Sequence, residues 1–183
     1  MKSIFKFLLA IIFLITTKTI SAQGVTENPM KPFTDLAGNW ESTDAVLDFA
    51  GTIFNVNYFA DFEKTSDGSG VIMYEKCNIP GIGKLNGANL IGFDPFDGQY
   101  HWFSVDNFGT THDHVGSFTD ETHFYMEHKS IRDDKEFLEK IWFDFIDTNT
   151  LKLKLIASTD GVVEQTVTAT FKRKGRGNQQ QNL

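Results

Sequence analysis

The chain is a succession of short segments in which apolar and polar residues alternate. That period of two predicts β-strands with one face in a core and one in water. Leu151, Leu153, Leu155 and Ala157 alternate with Lys152 and Lys154, and Val163, Val167, Ala169 and Phe171 with Glu164, Thr166, Thr168 and Thr170. Phe54, Val56, Tyr58, Ala60 and Phe62 share one parity, as do Phe124, Met126 and His128. The charged run from Asp133 to Lys140 has a helical look, but Phe137, Ile141, Phe143 and Phe145 carry a strand through and beyond it. Aromatic and β-branched residues favour that reading. Only residues 33 to 37 read as a helical turn, just ahead of Gly38.

Turn residues punctuate these segments. They are Ser66-Asp67-Gly68, Asn86-Gly87, Asp94-Pro95-Phe96-Asp97-Gly98, Asn107-Phe108-Gly109, Thr119-Asp120, Asp133-Asp134, Asp147-Thr148-Asn149 and Asp160-Gly161. Pro presets the first turn angle and Gly accepts positive φ, so the Asp94–Gly98 and Asp160-Gly161 segments are the strongest hairpin signals. Roughly nine or ten consecutive strands with short connections predict an antiparallel meander. Closing it on itself removes exposed edges, which favours an all-β, single up-and-down barrel. The barrel is expected over 33–172, after a flexible lead-in at 23–32 and before a disordered polar tail at 173–183.

Two sets of residues carry a family resemblance. Phe33-Thr-Asp-Leu-Ala-Gly38-Asn-Trp40, a helical turn running into Gly-x-Trp, resembles the opening of lipocalin-type barrels. In those folds the Trp plugs one barrel end beneath a basic side chain of the last strand, a role the resemblance assigns to Lys172, Arg173 or Lys174. Leu90-Ile-Gly92-Phe93-Asp94, Gly98-Gln-Tyr100, Ser104-Val-Asp106-Asn107-Phe-Gly109 and Gly116 resemble a bacterial lipocalin-like barrel family catalogued as a domain of unknown function. The resemblance implies a calycin-type barrel over nearly all of 33–172. The chain lacks the disulfide pairs of secreted lipocalins. It also lacks the Gly-rich stretch after the first Trp of haem-binding barrels, so no cofactor is expected.

The first 22 residues change the picture of location. Lys2 and Lys6, the apolar run from Leu8 to Ile15 and Ser21-Ala22 form a signal-peptide pattern, with mature protein expected from Gln23 in the periplasm or outside the cell. The run is short for a membrane span. Removing 22 of the 183 residues, three lysines among them, leaves 161 residues and shifts the net charge from −7 to −10. Duplex binding relies on Lys and Arg neutralising phosphates, so nucleic acid is an unsuitable partner. Cys77 is the only cysteine, so no internal disulfide forms and a buried thiol is expected.

The candidate chemistry is a pocket. Phe54, Val56, Tyr58, Phe124, Met126, His128, Phe143 and Phe145 fall on inward parities and are the expected ligand-binding set, His128 and Tyr58 being its polar handles. All five histidines lie between residues 101 and 128. His112 and His114 share a strand face. That spacing suits a metal, but it suits equally a set of polar rim histidines around one hydrogen-bonded interior imidazole, His128; no metal is expected. No Gly-x-Ser-x-Gly elbow occurs, and the acid pairs sit in turns, which argues against a hydrolase. The expected function is therefore an exported barrel that binds a small apolar molecule. The alternatives are an enzyme using an interior His and a filled barrel acting through its surface in an envelope assembly.

Overall fold

A computed structural model describes residues 28–175. The signal-peptide pattern and most of the polar tail lie outside the described residues. A short helix α1 (Lys31–Thr34) precedes ten strands. These are β1 (Gly38–Phe49), β2 (Thr52–Lys64), β3 (Gly70–Ile79), β4 (Gly83–Asp94), β5 (Gln99–Asp106), β6 (Thr111–Phe118), β7 (His123–Arg132), β8 (Lys135–Asp147), β9 (Thr150–Thr159) and β10 (Val162–Arg173). Every strand pairs antiparallel with its sequence neighbours, and β1 pairs with β10, so the sheet closes into a barrel.

The turn chemistry explains the hairpins. Asp160 and Gly161 have φ of 48° and 78°, the mirror-image turn whose twist matches antiparallel strands. Asp133 and Asp134 do the same at 50° and 61°. At Asp94–Gly98, carboxylate oxygens of Asp94 and Asp97 accept the Phe96 and Gln99 N–H groups. The expected turn at Asn86-Gly87 is a correction: both residues lie inside β4, and the chain reverses four to six residues before Asn86, at Pro80–Ile82. Gly87 has another reason to be glycine. A Cβ there would lie 2.6 Å from Glu75 Oε1, so the missing side chain makes room for a carboxylate on the inner wall.

One end of the barrel is closed. Met30, Phe33 and Leu36 insert into it, and Phe33 packs edge-on or tilted against Tyr100, Trp102, Phe118, Phe124 and Phe145. The Tyr100 hydroxyl donates to the Pro29 carbonyl at 2.6 Å. The packed region thus begins a few residues before Phe33, inside the stretch expected to be a flexible lead-in. At the other flank Arg173 ends β10. Its guanidinium lies 4.4 Å above the Trp40 ring, which identifies the cation among the three candidates. Cys77 is buried and unpaired. Burial, and then the nearby Glu75, push its thiol up to about 11.

Candidate functional site

Beyond the plug the barrel is hollow. A cavity of about 540 Å³ runs from Phe62, Trp102 and Leu151 towards the far end, where Phe49, Ile82, Val105, Phe108 and Gln165 form its mouth. Most of the wall is apolar, because alternate residues of every strand point inward. Exposed Ile53, Ile82, Phe108, Ile131 and Val162 stand at or beside the five hairpins of this end, giving the mouth an apolar rim.

Of the eight expected ligand residues, Tyr58, Met126 and Phe143 line the cavity. The other five lie elsewhere. Phe124 and Phe145 pack against Phe33 in the plug, since the inward parity of β7 and β8 continues past the cavity floor. Val56 is buried in the wall, and Phe54 packs on Phe49 at 6.0 Å. His128 is only half-buried and lies in a seam between β6 and β7. Those strands pair only from Val115↔Glu127 to Phe118↔Phe124, so the backbone above is unzipped. His128 bridges this gap, with Nδ1 2.9 Å from the Asp113 carbonyl oxygen and its ring stacked on His112 at 4.3 Å. Burial lowers its affinity for a proton.

The expected roles of the histidines are therefore reversed. His112 and His114 are buried at 3% and 1% exposure and line the cavity, whereas His128 is nearer the surface. Their partner is Glu139. Its Oε1 lies 3.0 Å from His112 Nδ1 and 2.6 Å from His114 Nε2. Burial alone would raise the Glu139 carboxyl, but these two hydrogen bonds outweigh it and hold it at about 2. His114 Nδ1 faces the Trp102 carbonyl oxygen at 3.3 Å. The Arg132 guanidinium donates to His112 Nε2 and covers the Phe137 ring at 3.6 Å.

A second polar set also lines the cavity. Glu75 accepts from the Tyr58 hydroxyl and, at 3.0 Å, from Asn89 Nδ2. The Asn89 carbonyl accepts the Trp102 indole N–H at 2.9 Å, and Trp102 stacks flat on Phe143. These contacts form one chain from Glu75 to the aromatic floor. The sequence reading passed over both acids, although each carried a signal. Glu139 shares the parity of Phe137, Ile141 and Phe143, and Glu75 that of Met73, Cys77 and Ile79. An acid on the apolar parity of a strand faces inward.

Glu75 supplies a pH prediction. Burial raises its carboxyl, and the bonds from Asn89 and Tyr58 only partly offset that. An acid whose pKa is raised by folding favours the fold most below its unfolded value, about 4.3, and loses that contribution as pH climbs through the folded value. Glu75→Gln removes the titration. Melting curves from pH 4 to 8 should show the variant gaining stability relative to the parent as pH rises. A difference constant across that range would refute it.

Similar architecture is found in known structures. Rv2717c from M. tuberculosis superposes with a TM-score of 0.62 at 14% identity, over 83% of this chain and 100% of that one. The S-type phycobiliprotein lyase CpeS from Guillardia theta superposes with a TM-score of 0.57 at 12% identity, over 79% of this chain and 92% of that one. The fold is a lipocalin-like barrel. No protein-family model matches the chain, and no curated protein matches it in sequence. Within this lipocalin-like barrel the cavity occupies the calyx, and the plug of Met30, Phe33 and Leu36 forms its floor.

Proposed function

We propose that this barrel is an exported carrier or sensor that holds one small, largely apolar molecule in its calyx. The observation that carries the reading is the cavity of about 540 Å³, closed at the floor, apolar over most of its wall and furnished with two localised polar sets. Small-molecule sites have this size and this balance of apolar wall to placed polar groups. A filled barrel, working through its surface alone, fits poorly with space on that scale. The motifs at Leu90–Asp94, Gly98–Tyr100 and Ser104–Gly109 support a place in the bacterial lipocalin-like family catalogued as a domain of unknown function. The phycobiliprotein lyase is a neighbour in fold and supplies no ligand by itself.

The lining also selects by charge. Among the described residues it contains Glu75, Asp106 and Glu139 and neither Lys nor Arg. An anionic head placed there would meet carboxylates in a medium that screens poorly. The ligand is therefore neutral or cationic. Binding of a fluorescent long-chain amine should exceed that of the matching long-chain carboxylate by about tenfold or more, a difference of about 1.4 kcal/mol. Leu155→Trp fills part of the calyx from a half-buried wall position and should weaken amine binding while the protein stays folded. No binding of either probe, or binding undiminished in the filled variant, would overturn the carrier reading.

A further inference from the structure

We propose that His112, His114 and Glu139 form a binding site for one divalent first-row transition-metal ion, with its open coordination positions facing the calyx. The site does not depend on the carrier reading, since the ion is itself the ligand. One ring nitrogen of His112, one of His114 and a Glu139 carboxylate oxygen lie within 4.8 Å of one another, with His112 Nδ1 and His114 Nε2 both facing Glu139 Oε1, and all three residues are buried. Two imidazoles and one carboxylate are the donor set of open zinc sites and of facial iron sites, in which water or substrate completes the shell. All three residues line the cavity, so the positions left open look into it.

The hydrogen bonds around His114 provide a second observation. Nε2 faces the Glu139 carboxylate and Nδ1 faces the Trp102 carbonyl, and both partners only accept. A neutral imidazole donates through one nitrogen alone, so both contacts are met only by an imidazolium or by an ion at one nitrogen. A metal at Nε2 meets both with a neutral ring: the Nε2 lone pair takes the ion, and Nδ1–H donates to the Trp102 carbonyl. Donation of the remote N–H to a backbone carbonyl is the usual way a protein orients a ligating histidine. The surface group Asp94, Asp97 and His101 contrasts with this site. Its Asp94 and Asp97 carboxylates are engaged by N–H groups of their own hairpin, and Asp97 also by His101.

Arg132 opposes the metal. It donates to His112 Nε2, which places the ring proton on Nδ1. Coordination through Nδ1 moves that proton to Nε2, where it confronts the guanidinium, so Arg132 must swing away from His112. Arg132 is exposed and reaches His112 from the end of β7, so it can move without disturbing the wall.

The test uses the whole mature protein, stripped with a chelator and titrated with Co²⁺ and then Zn²⁺. The expected result is a visible cobalt spectrum that saturates at one equivalent, is displaced by Zn²⁺, and is not elicited or displaced by Mg²⁺ or Ca²⁺. Glu139→Gln and His114→Ala should each weaken zinc binding about 100-fold, Asp97→Asn in the surface group should leave it unchanged, and Arg132→Ala should tighten it several-fold. Circular dichroism establishes that each variant is folded. The exposed Arg132→Ala keeps the test informative if a buried variant fails to fold. No stoichiometric cobalt signal in the parent overturns the site. So does zinc affinity unchanged in folded Glu139→Gln, or weakened in Arg132→Ala.

Discussion

Trp40→Ala is expected to destabilise the barrel by about 3–5 kcal/mol, the range for removing a large aromatic from a core. The ring is 1% exposed and rests edge-on against Phe62. Its indole N–H donates to the Leu36 carbonyl at 2.7 Å, so truncation also leaves a buried acceptor unpaired. The third loss is the stacked cation. Arg173 covers the ring at 4.4 Å while donating to the carbonyls of Asp35, Ala37 and Thr148. Through this pair the first strand, the last strand, the plug segment and the β8–β9 turn are joined at one point. Urea unfolding measures the total. Arg173→Ala should cost less in the Trp40→Ala background than alone, by about 0.5–2 kcal/mol, because the shared contact has already gone. A melting temperature within a degree or two of the parent would show that Trp40 does not hold these elements together.

Gly116→Ala is expected to lower stability by about 3 kcal/mol, at the upper end of ordinary overpacking. A Cβ at Gly116 would lie 2.1 Å from the Tyr125 carbonyl oxygen and 2.5 Å from Met126 Cα. Both are backbone atoms of the adjacent strand, so no side chain can give way. Relief requires β6 and β7 to part, and these two strands pair only from Val115↔Glu127 to Phe118↔Phe124. The substitution therefore acts on the shortest ladder in the wall, directly below the unzipped seam that holds His128. Hydrogen exchange of the β6 and β7 amides locates the effect, and thermal melting measures it. Protection unchanged at these amides, with an unshifted melting temperature, would mean that the wall absorbs the methyl group.

Both predictions concern residues whose importance had different visibility. Trp40 was legible through a resemblance, because Gly-x-Trp after a helical turn is similar to the opening of lipocalin-type barrels, whose Trp lies beneath a basic side chain of the last strand. Which of Lys172, Arg173 and Lys174 covers the ring was not, since that depends on the β1–β10 register, Trp40↔Arg173. Gly116 was noticed only as part of a motif. Its reason, a backbone atom approaching from the next strand, is a property of two strands in contact.

The strand parities, the turn residues and the short connections determined by themselves that the chain would form an antiparallel barrel, because each is a local consequence of alternation and backbone freedom. Parity also settles which face each side chain takes. It does not settle depth along the barrel axis. Phe124, Met126 and His128 share one face, yet they lie in the plug, on the cavity wall and in the seam respectively. Depth follows from the stagger of ten strands around a closed sheet, a quantity no single strand contains. The same holds for the polar sites. His112 and His114 come from β6 and Glu139 from β8, with the intervening strand β7 failing to pair beside the histidines, and Tyr58, Glu75 and Asn89 come from three successive strands. Burying an acid is unfavourable unless donors surround it. The sequence shows the acids on apolar parities, and only the closed barrel brings to each the imidazoles, hydroxyl and amide that stabilise it there.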